Sequence, residues 1–254
     1  MTAQTLINTA EDQPSLFPQE QARWLAFDLE TAKVLAPDDG DLMRSRPLGI
    51  SCAAALSSEG ELTTWVERDE RGEIQPQLSA GTAADLVSFL QEKHYAGWRI
   101  ITWNGLGFDF DILYEESGYL PACKDLAREH TDMMFHVFCE KGYPVSLEKA
   151  ARGMGLAGKT DGMNGALAPT LWQYGEHETV LKYLEQDVRI TLALALAGER
   201  ERTLRWISGT DKLLQIKLPR GWLRVKEALE LPLPDVSWMD RPWPRERFTG
   251  WLKD

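Results

Sequence analysis

The spacing of apolar positions divides the chain into strands followed by helices. The run WLAFDLET, Trp24–Thr31, is nearly continuous in apolar and β-forming residues and reads as a strand, with others near 47–56, 61–67 and 99–103. A helix is expected near 82–94, another in FDFDILYEESG, and a long one in TVLKYLEQDVRITLALALAG, where apolar residues recur every three or four positions. Beyond the fourth strand the chain reads as mainly helical to about residue 207. Three strands, a helix, a fourth strand and a series of helices describe an α/β domain. Residues 1–22 are polar and expected to form a flexible tail, 23–207 the domain, and 208–254 an extension packed on the domain or contacting substrate. Within the extension, SGTDKLLQIKLPRGWLRVKEALELP reads as a strand pair turning at Pro219–Gly221 and then a short helix.

Placing polar residues on these elements reveals candidate chemistry. Asp28 and Glu30, at i and i+2 of a strand, project from one face. Asp109 follows the strand-like RIITWN and a Gly-rich turn, at a strand-to-helix junction, and Asn104 opens that turn. Tyr183 and Asp187, at i and i+4 of the long helix, share a face. Four carboxylates and a phenol suit two hard divalent cations held against a phosphodiester, and oxygen-only ligands favour Mg²⁺ or Mn²⁺ over zinc.

The strings FDLET, NGLGFD and YLEQD match, in order and spacing, the three motifs of the DEDD 3′-5′ exonucleases. Each string alone is common; their ordered coincidence carries the likeness. The tyrosine in the third motif resembles the branch containing polymerase proofreading domains, and the chain is similar to free-standing relatives of the family B type. The sister branch would place histidine where this chain has Lys182. The resemblance spans roughly Arg23–Gly198 and implies an RNase H-like mixed sheet flanked by helices, although its fifth strand is not legible. It further implies that Asp28, Glu30 and Asp187 hold one cation, with Asp28 bridging to a second that Asp109 steadies, partly through water. Two such ions lie about 3.5 to 4 Å apart. Tyr183 would orient the attacking water, since a phenol with pKa near 10 is a poor base at neutral pH. Leu29, Thr31, Asn104 and Phe108 are the implied substrate contacts; Lys159, in the loop that precedes the third motif's helix, reads either as a phosphate contact or as a solvated loop lysine. The implied activity is 3′-5′ hydrolysis of single-stranded or frayed nucleic acid, DNA over RNA, releasing nucleoside monophosphates. The opposing class is a non-catalytic RNase H-like binding module, which loss of a motif carboxylate would favour; all four are present.

A competing pattern is GMGLAGKT, Gly153–Thr160, which satisfies the phosphate-binding loop of nucleoside triphosphatases. That loop needs a strand before it and a helix after it. Here SLEKAARGMG is helical upstream and DGMNGALAPT is rich in breakers downstream, so the glycines read as a helix stop and loop. Cys52, Cys123 and Cys139 form no metal or disulfide framework, and His130, His136 and Cys139 read as core or surface residues rather than ligands. No signal peptide or membrane-spanning run is evident, which points to the cytoplasm.

Charge is uneven. Residues 188–254 carry 13 Lys or Arg against 9 Asp or Glu, whereas residues 1–187 carry 15 against 30, within a total of −11. An acidic nuclease must grip phosphates through bound cations and local patches. The extension interleaves Trp238, Trp243, Phe248 and Trp251 with Arg241, Arg245 and Arg247, which suits either base stacking or a strap on the domain. In the tail, QPSLF, Gln13–Phe17, resembles the pentapeptide by which bacterial replication enzymes bind the sliding clamp; Gln13, Leu16 and Phe17 would be the contacts, while Pro14 replaces the usual leucine.

Overall fold

The computed structural model describes residues 22–35, 42–156, 158 and 165–253. The tail with Gln13, Leu16 and Phe17, and Lys159, lie outside the described residues. Strands β1 (Trp24–Thr31), β2 (Ile50–Ser57) and β3 (Leu62–Val66) form an antiparallel meander. Strand β4 (Arg99–Thr102) lies parallel to β1, and β5 (Thr131–Asp132) parallel to β4, giving one mixed sheet in the order β3-β2-β1-β4-β5. The strand missing from the sequence reading is β5. At two residues it is too short to show periodicity, and its pairing with Ile101 and Thr102 alone defines it.

Helices cover both faces because the central strand is apolar on both. Leu25, Phe27 and Leu29 pack in one core with residues of α1 (Ala80–Tyr95), α2 (Asp109–Ser117) and α3 (Leu120–Glu129). Trp24 and Ala26 face a second core containing Val180, Leu184 and Val188 of α7 (His177–Glu201). Small residues Ala53–Ala55 of β2 let both layers approach closely. Between α3 and α7 lie α4 (Met133–Lys141), α5 (Leu147–Gly153) and α6 (Ala168–Gln173). No helix among the described residues is long and apolar enough to cross a membrane.

Two sequence expectations fail beyond α7. The helix ends at Glu201, with Arg202 in the left-handed region at φ 50°, and β6 (Thr203–Ile207) replaces the helical stretch expected to 207. Strand β6 pairs with β7 (Leu213–Lys217), so the hairpin turns at Ser208–Lys212 rather than at Pro219–Gly221. There Ser208 Oγ accepts from the N–H groups of Thr210 and Lys212, turn chemistry that outweighs the Pro-Arg-Gly signal. The hairpin spans residues 207 and 208, where the sequence reading divides domain from extension. A short helix, α8 (Val225–Leu229), follows as expected.

The remaining extension, with α9 (Glu246–Thr249), folds back over the domain. Phe248 is buried against Phe135 and Phe138, while Trp251 stacks on Tyr114 and its Nε1 donates to the Leu106 carbonyl at 2.8 Å. In GMGLAGKT, the residues before the loop are helix α5, which does not fit a triphosphate-binding loop. Gly153 closes that helix because β6 crosses it: a Cβ there would lie 2.3 Å from the Trp206 Cα. Gly153→Ala should therefore cost about 1–3 kcal/mol by overpacking and lower the midpoint of thermal unfolding by several degrees. An unchanged midpoint would show that the approach of β6 does not require glycine.

Candidate active site

The parallel arrangement of β1 and β4 brings their carboxyl ends to one edge of the sheet. Described pairing of β1 with β4 stops at Ala26 and Ile101, so the end of β1 needs another partner on that side. Asp109, the opening residue of α2, supplies it: its Oδ1 accepts from the Leu29 N–H at 3.0 Å. Its carboxyl group also interacts with that of Asp28. On the face of β1 shared with Trp24 and Ala26, Asp28 and Glu30 meet α7, whose Tyr183, Asp187 and Thr191 recur every four residues. Cys52 is the cross-strand partner of Glu30.

The turn between β4 and α2 is held from beneath. Asp132 Oδ1 accepts from the N–H groups of Asn104 and Phe135 at 3.0 and 2.9 Å, and its Oδ2 from Leu106 at 2.9 Å. One buried carboxylate thereby caps α4 and shapes the turn in which Asn104 takes φ 77°. Burial pushes Asp132 up to about 6, against the downward pull of these donors. A Cβ at Gly105 would lie 2.4 Å from Thr102 Oγ1, so the turn is too tight for any other residue.

Burial dominates the electrostatics of the site. Asp109 is 1% exposed and Asp187 5%. Desolvation raises Asp109 well above the ordinary carboxylate range, offset in part by its hydrogen bonds. Tyr183 is raised as well, first by burial and then by the negative fields of Asp187, Glu30 and Asp28. The phenol is therefore neutral at physiological pH and can donate a hydrogen bond but not abstract a proton. Glu30 Oε2 and Tyr183 Oη both face Gly165, 3.9 and 4.0 Å from the position a Cβ would occupy there. Asp28 and Asp187 line a cleft of about 450 Å³ together with Trp103, Asn104, Ser146 and Trp243.

A sequence model described as the RNase_H superfamily matches residues 62–197, more than half of the chain. The chain belongs to the RNase H superfamily. Among curated proteins none matches it. Similar solved structures include the family B DNA polymerase of the hyperthermophilic archaeon Pyrobaculum calidifontis, with 22% identity and a TM-score of 0.50 over 70% of this chain and 24% of the polymerase. Another is a product-bound exonuclease I, with 17% identity and a TM-score of 0.41 over 71% of this chain and 44% of that protein. The chain thus spans less than half the length of either. The polymerase likeness shows a shared fold.

In this RNase H superfamily domain, Asp28, Glu30, Asp109, Tyr183 and Asp187 come together, and Asn104 lines the same cleft. The Leu29 side chain is 2% exposed on the opposite face of β1, and its N–H donates to Asp109 at the site. Thr31 is buried, and Phe108 is half-buried against the core. His130, His136 and Cys139 are core residues; His130 is held by the Ala127 carbonyl and Thr102, and His136 accepts from the Leu223 N–H. Sequence reasoning missed Trp103, Asp132 and Thr191. Thr191 continues the stripe of Tyr183 and Asp187, a legible signal, whereas the contacts of Asp132 cross from one element to another.

Among the described residues no group of three or more His, Cys, Asp or Glu side chains is placed to hold a metal ion. The motif carboxylates fit a hard divalent cation in kind: the donors are all oxygen, they come together at one cleft, and the burial of Asp109 costs desolvation.

This cost has a testable pH dependence. Because the folded pKa of Asp109 lies above its ordinary value of 3.8, its contribution to stability is present at low pH and lost as pH rises through the folded value. Asp109→Asn keeps an acceptor for Leu29 and adds a donor toward Asp28. In EDTA the variant should unfold several degrees above wild type at pH 8, and the gap should close toward pH 5. An equal or lower midpoint at pH 8 would contradict the strain assigned to Asp109.

Proposed function

We propose that this RNase H superfamily protein is a metal-dependent exonuclease that removes nucleoside monophosphates from the 3′ ends of single-stranded or frayed nucleic acid, DNA in preference to RNA. The observation that carries this reading is the gathering of Asp28, Glu30, Asp109 and Asp187, the last three buried, around the Tyr183 phenol at a cleft. A binding module has no need of four carboxylates at one cleft, since burying a charged group costs free energy that apolar residues there would not. Their retention is accounted for by a cationic reaction centre. The order and spacing of the motifs, similar to the tyrosine branch of the DEDD exonucleases, support the 3′-5′ direction.

Asp28, Glu30, Asp109 and Asp187 would hold two Mg²⁺ or Mn²⁺ ions, which when bound activate water and neutralise charge on the phosphodiester. The chain itself supplies position. Tyr183, kept protonated by its carboxylate surroundings, donates a hydrogen bond that aligns the attacking water with the phosphate. Asp109, fixed by the Leu29 N–H, holds Asp28 in place from the far side. Asn104, pinned through its backbone by Asp132, borders the same cleft and is available to the terminal nucleotide.

End-labelled DNA and RNA strands incubated with Mg²⁺ or Mn²⁺ test the proposal. Strands labelled at the 5′ end should shorten into a ladder, and EDTA should stop the reaction; early release of labelled mononucleotide would reverse the polarity. Asp28→Ala should nearly abolish turnover while the fold persists, and near wild-type turnover would refute the metal-centred mechanism. Tyr183→Phe should lower kcat by roughly 10- to 1000-fold while the protein still binds cations. An unchanged kcat would make Tyr183 a packing residue.

A further inference from the structure

The cleft holding Asp28 and Asp187 continues into a second cavity of about 600 Å³, and Pro144, Val145 and Ser146 line both. This shared ridge is fixed, because Trp103 Nε1 donates to the Val145 carbonyl at 2.9 Å and Ser146 caps α5. Beyond it the second cavity runs between α5 and the β6-β7 hairpin. Both cavities fall in the size range of ligand sites, on the order of 300–1,000 Å³.

The residues of the second cavity differ from those of the first. Among the described residues no carboxylate lines it, although the whole chain carries a formal charge of −11. Lys149 of α5 is the one charged residue among the described residues that line it, and Ser208 and Thr210 of the hairpin turn add hydroxyls. Its outer wall is Trp238, 67% exposed, set edge-on to Tyr143 with ring centroids 6.0 Å apart. In the catalytic cleft the corresponding aromatic is Trp243, 41% exposed, with the Arg247 guanidinium 4.0 Å from its ring centroid. Both tryptophans come from the extension, outside the part of the chain matched by the superfamily. Phe248 and Trp251 of the same extension are packed inward, so the extension is anchored by two aromatics and presents two others.

We infer that the two cavities form one groove that receives a single strand upstream of the scissile phosphate, with unpaired bases stacking on Trp243 and Trp238 and a phosphate meeting Lys149. The inference rests on the nuclease reading above and extends it from the reacting centre to the strand that feeds it. Stacking platforms need bases freed from pairing, and a carboxylate-free path is the route of least repulsion for a polyanion across an acidic protein. The hairpin and the extension thus supply the grip that the carboxylate-rich end lacks.

Binding of oligodeoxythymidylates of two, four and eight residues, and of oligouridylate of eight, is measured by fluorescence anisotropy in EDTA, so that no turnover intervenes. Wild-type affinity should climb with length. Trp238→Ala should weaken binding of the octamer by roughly 5- to 100-fold and collapse the ratio between octamer and dimer, with Trp238→Phe restoring most of it. Lys149→Ala should reduce the slope of log affinity against log salt by about 0.7. Comparison of the two octamers separates a deoxyribose strand from a ribose one. The groove is refuted if wild type binds dimer and octamer alike, or if Trp238→Ala binds the octamer as wild type does. Failure of the nuclease reading would look different: length-dependent binding would persist in a wild-type protein that cleaves no strand with Mg²⁺ or Mn²⁺ present.

Discussion

The burial of like charge at the carboxyl end of β1 is the constraint on which the structure turns. A strand covered by helices on both faces normally excludes carboxylates, since removing an isolated charge from water costs several kcal/mol. Here Asp28 and Glu30 sit at that end, Asp187 descends from α7, and Asp109 arrives at the start of α2. Placing Asp109 on the Leu29 N–H satisfies a strand edge that β4 leaves behind and gives the carboxylate a donor. The burial that remains raises Asp109 well above the ordinary carboxylate range, and it makes the site responsive to pH.

Precision at the site comes from residues that touch nothing reactive. Asp132 accepts three backbone N–H groups and so couples the turn at Asn104 to the start of α4. The extension closes the same turn from outside: Trp251 takes the Leu106 carbonyl, and Phe248 packs so closely that a Cβ at Gly107 would lie 2.8 Å from its ring. A turn held from beneath by a carboxylate and from above by two aromatics has little freedom to drift. Asn104 and Asp109, at its two ends, inherit that rigidity. The same strap carries Trp243 to the cleft, so packing of the turn and the shape of the cleft are governed by one segment.

Much of this was legible in the residues. Strands β1 to β4, helices α1, α2 and α7, and the five motif residues follow from periodicity and spacing, because a strand repeats every two residues and a helix every 3.6. Local patterns misled where two turn signals competed. Pro219–Gly221 looked like the hairpin turn, but the Ser208 hydroxyl organises its own tight turn earlier, and Arg202 ends α7 before it. Leu29 shows a limit of another kind: next to Asp28 along the chain, its side chain packs in the opposite layer, because alternate residues of a strand face opposite ways.

The sequence by itself determined the kind of chemistry, through the ordered carboxylates and tyrosine, and the α/β class, through the change from strand to helix periodicity. Tertiary structure alone decided which partners those groups keep. The hold of Asp109 on the Leu29 N–H, the three donors on Asp132, the two-residue strand β5 and the arrival of Trp243 at the cleft of Asp28 and Asp187 all join residues from separate elements. Such contacts leave no period in the chain. They exist because elements with matching apolar faces must pack, and packing brings their polar ends to a common edge.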